Sequence, residues 1–145
     1  MPRFNRYLFA ACTFVATFTF GQEIKLVRDL DARGRVTLTK DDLNQLLPNA
    51  KMSRVSPKGS TQLWKNNPDG SFVISSQNND VPGYNGTAPG KWHLSEDGRY
   101  CVLIEWRSVP TEEWCRYILK VGDEYYATKS DKSGDEKVYK LNISK

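Results

Sequence analysis

Eight short segments of alternating apolar and polar residues, most of them separated by an explicit turn, constrain this chain more than any other feature. They cover residues 51–56, 61–66, 71–75, 91–95, 99–107, 114–121, 124–129 and 137–143. Between them stand Ser56-Pro-Lys-Gly-Ser60, Asn67-Pro-Asp-Gly70, Ser95-Glu-Asp-Gly98, Val121-Gly-Asp-Glu124 and Ser130-Asp-Lys-Ser-Gly-Asp135. Each turn supplies Gly, Asn, Asp or Pro where a hairpin needs special backbone angles. The spacing predicts a mainly β fold: an antiparallel meander curling into a small barrel or sandwich.

Two segments carry the strongest pattern. Tyr100, Val102, Ile104 and Trp106 share one face, with Cys101, Leu103 and Glu105 on the other. Cys115, Tyr117, Leu119 and Val121 lie opposite Trp114, Arg116 and Ile118. Pairing these segments about residues 107–111 sets Cys101 against Cys115.

One short helix precedes the strands. Thr39 is its cap, Asp41 and Asp42 suit the positive end of its dipole, and Leu38 and Leu43 occupy the positions of a hydrophobic staple. Leu43, Leu46 and Leu47 form its apolar face, and Pro48-Asn49 ends it. A helix this short is not stable alone, so its leucines must dock on something. Residues 22–37 read as a loosely attached lead-in arm with a turn at 31–35, and residues 38–145 as one β-rich domain.

Residues 1–21 read as an export signal. Arg3 and Arg6 precede an uncharged stretch from Tyr7 to Phe20, and Thr19 and Gly21 offer small residues for cleavage before Gln22. The apolar run is short for a membrane span, so no stable anchor is expected after cleavage. The remaining chain carries 19 basic against 17 acidic residues, interspersed, which gives no support for a nucleic-acid groove. Cys12 falls inside the signal. Its surroundings fail as a lipoprotein site, because few apolar residues separate it from Arg6 and the apolar run continues past it. Cys101 and Cys115 then remain, and in a periplasmic or secreted setting a single disulfide between them is the expected outcome.

The chemistry-bearing residues give no catalytic set, no metal site and no cofactor. His93 is the one histidine, with no nucleophile motif around it. Glu112 and Glu113 are adjacent, so on a strand they face opposite ways and cannot flank one glycosidic bond. Residues 131–136 offer oxygen atoms at alternate positions without calcium-loop spacing. The stretch 77–90 shows no strand pattern and reads as a long loop with Tyr84 as its one large apolar residue. Among the aromatics, Trp92 and Trp106 are expected in the core, and Trp64, Tyr84 and Trp114 at an exposed ligand contact. The sequons at Asn85 and Asn142 matter only in a eukaryotic source, and the signal points to a bacterium.

Several elements together resemble a family of exported bacterial proteins, domain-of-unknown-function 995. They are Leu38-Thr-Lys-Asp-Asp-Leu43, Trp64 followed by Asp69-Gly70, Gly90-Lys-Trp92, Asp97-Gly-Arg-Tyr-Cys101, Trp106, Cys115, and Gly122-Asp123 with Tyr125. The resemblance covers residues 38–128 and implies a small periplasmic or secreted β-rich domain. It brings no catalytic residues, and Ser108–Glu113 matches no pattern that would transfer a site.

The resulting expectation is an exported, non-enzymatic binding protein for an unknown small ligand, glycan or protein. Two alternatives stand beside it. One is an inhibitor of a hydrolase such as lysozyme, although the Ser-Gly-x-x-Tyr loop of such inhibitors is not reproduced by Ser133-Gly134 and the distant Tyr139. The other is a cell-envelope glycan hydrolase, which needs two converging carboxylates.

Overall fold

A computed structural model describes residues 23–78, 80 and 85–145. The expected export signal and Tyr84 lie outside the described residues. In chain order the elements are α1 (Val27–Asp31), β1 (Val36–Thr37), α2 (Lys40–Leu46), β2 (Lys51–Val55), β3 (Thr61–Lys65), β4 (Ser71–Gln77), β5 (Gly86–Leu94), β6 (Tyr100–Ile104), β7 (Glu112–Val121), β8 (Glu124–Thr128) and β9 (Val138–Ser144). Each of the eight expected strands is present. Strands β2 to β9 pair antiparallel with their sequence neighbours, and β9 returns to β2, so the sheet closes into an eight-stranded barrel.

Two strands change partners to achieve that closure. The first half of β7 pairs with β6 and its second half with β8. The edge that β6 leaves is taken by β1, with Val36 opposite Lys120 and Thr37 opposite Leu119. In β9, Val138–Leu141 pairs with β8 and Asn142–Ser144 with β2.

The inward positions follow the strand period of two. Met52, Trp64, Phe72, Ile74, Tyr100, Val102, Ile104, Ile118 and Leu141 are all buried in one core. α2 plugs one end of the barrel, adding Leu43 and Leu47, both fully buried. Its start follows the capping rule: Thr39 Oγ1 accepts from Asp42 N at 3.1 Å, and Asp42 Oδ2 accepts from Thr39 N at 2.8 Å. Beneath the plug a buried polar knot links helix to barrel. Asn66 Oδ1 accepts from Tyr100 Oη at 2.7 Å and Trp64 Nε1 at 3.2 Å, while Asn66 Nδ2 donates to the Leu47 carbonyl. Burial pushes the Tyr100 phenol far above its ordinary pKa, so it stays a donor.

Among the described glycines, Gly90 has the least room for a side chain. A Cβ there would lie 2.1 Å from the Phe72 ring. Gly90→Ala is expected to cost about 1–3 kcal/mol through overpacking, read as a lower urea midpoint. In a Phe72→Leu background the same change should cost measurably less, and equal costs in both backgrounds would remove this explanation.

Two expectations need correction. The lead-in is not loose. Val27 and Leu30 are fully buried against Leu119, Tyr126 and Val138 on the outer face of the β7–β8–β9 sheet. Val27 N donates to Glu136 O at 2.9 Å, Arg28 N to Gly134 O at 3.0 Å, and Val138 N to Lys25 O at 3.0 Å. Two apolar residues three apart sufficed for a docked helical turn, because the sheet face they cover is apolar as well. The long loop is also shorter than expected. β5 begins at Gly86, and Val73 pairs with Pro89, whose carbonyl accepts from Glu105 N at 3.0 Å.

Candidate functional site

Up-and-down strands put the connections after β2, β4 and β6 at the barrel end opposite α2. There the core stops and a cavity of about 590 Å³ opens. The 56–60 turn supplies one side, and Asn85, Gly86 and Thr87 a second. The 106–111 connection, with Trp106, Arg107, Val109 and Pro110, supplies the third. The first two sides are tied together: Asn78 Nδ2 donates to Lys58 O at 3.0 Å, and Asn78 N to Asn85 Oδ1 at 2.5 Å.

The wall between them is polar where a closed barrel would be apolar. Gln62 and Ser76 are direct cross-strand partners on the inward face, and Ser60 lies two residues before Gln62 on the same face. All three are buried, at 4%, 4% and 1% exposure, and all three line the cavity. Backbone groups of Ser60 are paired within its turn, but its hydroxyl has no partner among the described residues.

Between cavity and core sits a charged cluster. Arg54 follows Met52 on the inward face of β2. Its Nε donates to Gln62 Oε1 at 2.8 Å and its Nη2 pairs with Glu112 Oε1. Glu112 also accepts from Trp106 Nε1 and Trp114 Nε1, each at 3.2 Å. The Arg54 guanidinium lies 4.9 Å over the Trp114 ring and that of Arg116 lies 5.8 Å from it. Burial, reinforced by the charge of Arg54, lowers the pKa of Arg116. The cluster thus fixes two indoles and a glutamine beside an open space.

The sequence expectations meet this geometry unevenly. Cys101 and Cys115 are bonded, on the outer face of the β6–β7 hairpin. Trp64, expected exposed, is only 6% exposed and forms part of the core. The period of two puts it on the same face as Gln62, so that Leu63 points outward at 50% exposure. Trp114 is half-buried, edge-on to Tyr100 at 5.8 Å, and reaches the site through Glu112 rather than by lining it. Trp106, expected in the core, packs half-buried against it and also lines the cavity. Trp92, also expected in the core, packs half-buried against it and donates to Asn67 O at 2.9 Å.

The other chemistry-bearing residues stand apart from the cavity. His93 is exposed opposite Cys101. Glu113 points outward, away from Glu112. The 131–136 turn clasps the N-terminal arm: Asp131 accepts from Thr37 Oγ1 at 2.9 Å, and Asp135 pairs with Arg28 at 2.5 Å. Among the described residues no group of three or more His, Cys, Asp or Glu is placed to hold a metal ion. Glu112 is the one carboxylate among the described lining residues, which gives no support to a two-carboxylate hydrolase.

Ser60, Gln62, Ser76 and Arg54 were missed in the sequence. A signal was present: each shares its strand face with a core residue (Trp64, Ile74 or Met52), which is the mark of an interior position left polar. Family models, curated proteins and solved structures were each compared with this chain, and none matches it.

Proposed function

We propose that this chain is an exported, non-enzymatic binding protein that holds a small organic ligand in its barrel mouth. The supporting observation is the cavity of about 590 Å³ above a filled core, within the range of small-molecule sites. Eight strands give a barrel just wide enough for side chains or one small ligand. Here side chains fill the α2 end, and the described residues at the other end enclose a cavity. The disulfide suits the oxidising compartment that export would provide.

A thermal-shift screen of soluble metabolites, with native mass spectrometry of the hits, tests the reading. At least one compound should raise the melting temperature by several degrees, as expected when ligand far exceeds its Kd. Ser76→Leu, which places bulk in the cavity, should abolish that shift. The reading fails if no compound stabilises the chain, or if every stabilising compound acts equally on Ser76→Leu.

A further inference from the structure

Resting on the barrel-mouth reading, we infer that the ligand is a small organic oxyanion, a carboxylate or phosphate, whose charged end seats on Ser60, Gln62 and Ser76. The argument begins with hydrogen-bonding capacity. Gln62 Oε1 is occupied by Arg54 Nε, which fixes the amide so that Nε2 remains as a donor. The Ser60 hydroxyl is buried with no partner among the described residues, and Gln62 and Ser76 line the same cavity beside it. Three neighbouring donor-bearing side chains on one cavity wall, one of them buried and unpaired, match an acceptor-rich group.

Charge points the same way. The described lining residues include two cations, Lys58 and Arg107, and a single carboxylate, Glu112. Both oxygens of Glu112 are committed to Arg54 and two indole N–H groups, so it has little capacity left for a cationic ligand. Arg107 is exposed on the third side of the mouth and has no ion pair among the described residues. Arg54 lies directly behind Gln62 with its charge balanced by Glu112, and its part is to hold the amide in place. Opposite the wall, Trp106, Val109 and Pro110 offer an apolar surface for the body of such a molecule.

The test is a titration by intrinsic tryptophan fluorescence, confirmed by calorimetry, at low and physiological salt. The probes are matched series on common aromatic and aliphatic scaffolds: carboxylates, phosphate monoesters, neutral amides and cationic amines. One anionic series should bind at least about tenfold tighter than the amides and amines, and weaken as salt rises. Which anionic series wins identifies the headgroup. Ser60→Ala should weaken anion binding by about tenfold while the melting temperature stays level or rises, because the hydroxyl it removes is buried and unpaired. Arg107→Ala should weaken it several-fold and reduce the salt dependence. Amides or amines binding as tightly as the anions would overturn the inference, as would Ser60→Ala with unchanged anion affinity. A neutral compound whose binding Ser76→Leu abolishes would overturn the oxyanion assignment and leave the barrel-mouth reading standing. Failure of every series, together with a compound-free native mass spectrum, would overturn both.

Discussion

A chain carrying Cys101→Ala and Cys115→Ala together is expected to lose about 3 kcal/mol of stability, a fall of roughly 10 °C or more in melting temperature. The bridged residues are 14 apart, and closing a loop of that size removes conformational freedom mainly from the unfolded chain. A second contribution acts through register. Cys101 stands directly opposite Cys115, and the same ladder sets Val102 against Trp114 and Ile104 against Glu112. A slip by one residue would turn Tyr100, Val102 and Ile104 out of the core. The hairpin connection also carries Trp106, Arg107, Val109 and Pro110, the third side of the cavity. Loss of the bridge should therefore weaken ligand binding as well as stability. Reduction of the native chain should reproduce the melting shift of the double variant. A shift of only a degree or two would show that the hairpin is already constrained in the unfolded state.

The strands were legible because their signals are local. Gly59, Gly70, Gly98 and Gly122 all have positive φ at the turns where the sequence placed them. The β6–β7 pattern gave the correct faces and the correct cysteine pairing, since both rest on alternation within two segments adjacent in sequence. The barrel's closure is different in kind. β9 meets β2 across every intervening strand of the barrel, and only the outcome of all intervening twists and partner changes decides that contact. The docked arm was missed for a related reason. Val27 and Leu30 carry too little pattern to announce a helix, and the surface they cover belongs to strands distant in sequence. The site was hidden by a rule that ordinarily helps. Interior positions are expected to be apolar, yet Gln62 faces inward and Leu63 outward. A barrel that keeps space for a ligand must break the pattern on the strands that border the space.

Glu112→Ala should be among the most damaging single changes, costing about 2–3 kcal/mol. It strands the Arg54 guanidinium, whose side chain is 14% exposed, and removes the acceptor for two indole N–H groups. The value lies below that of a fully enclosed pair because Glu112 itself is 32% exposed and solvent can partly replace it. Glu112→Gln keeps an oxygen acceptor and should cost less, about 1 kcal/mol. The informative comparison is the double variant Arg54→Met with Glu112→Leu, which removes both charges and keeps apolar bulk. Its stability in urea should recover most of the loss, giving a coupling energy of more than about 1 kcal/mol in the double-mutant cycle. A double variant as unstable as the sum of its parts would show that the two side chains act independently. Binding should not recover with stability. Without Arg54 the Gln62 amide loses the donor that orients it. A folded barrel that no longer prefers an anion would separate the two roles of this pair: holding β2 to β7, and giving the open end of the barrel its chemical character.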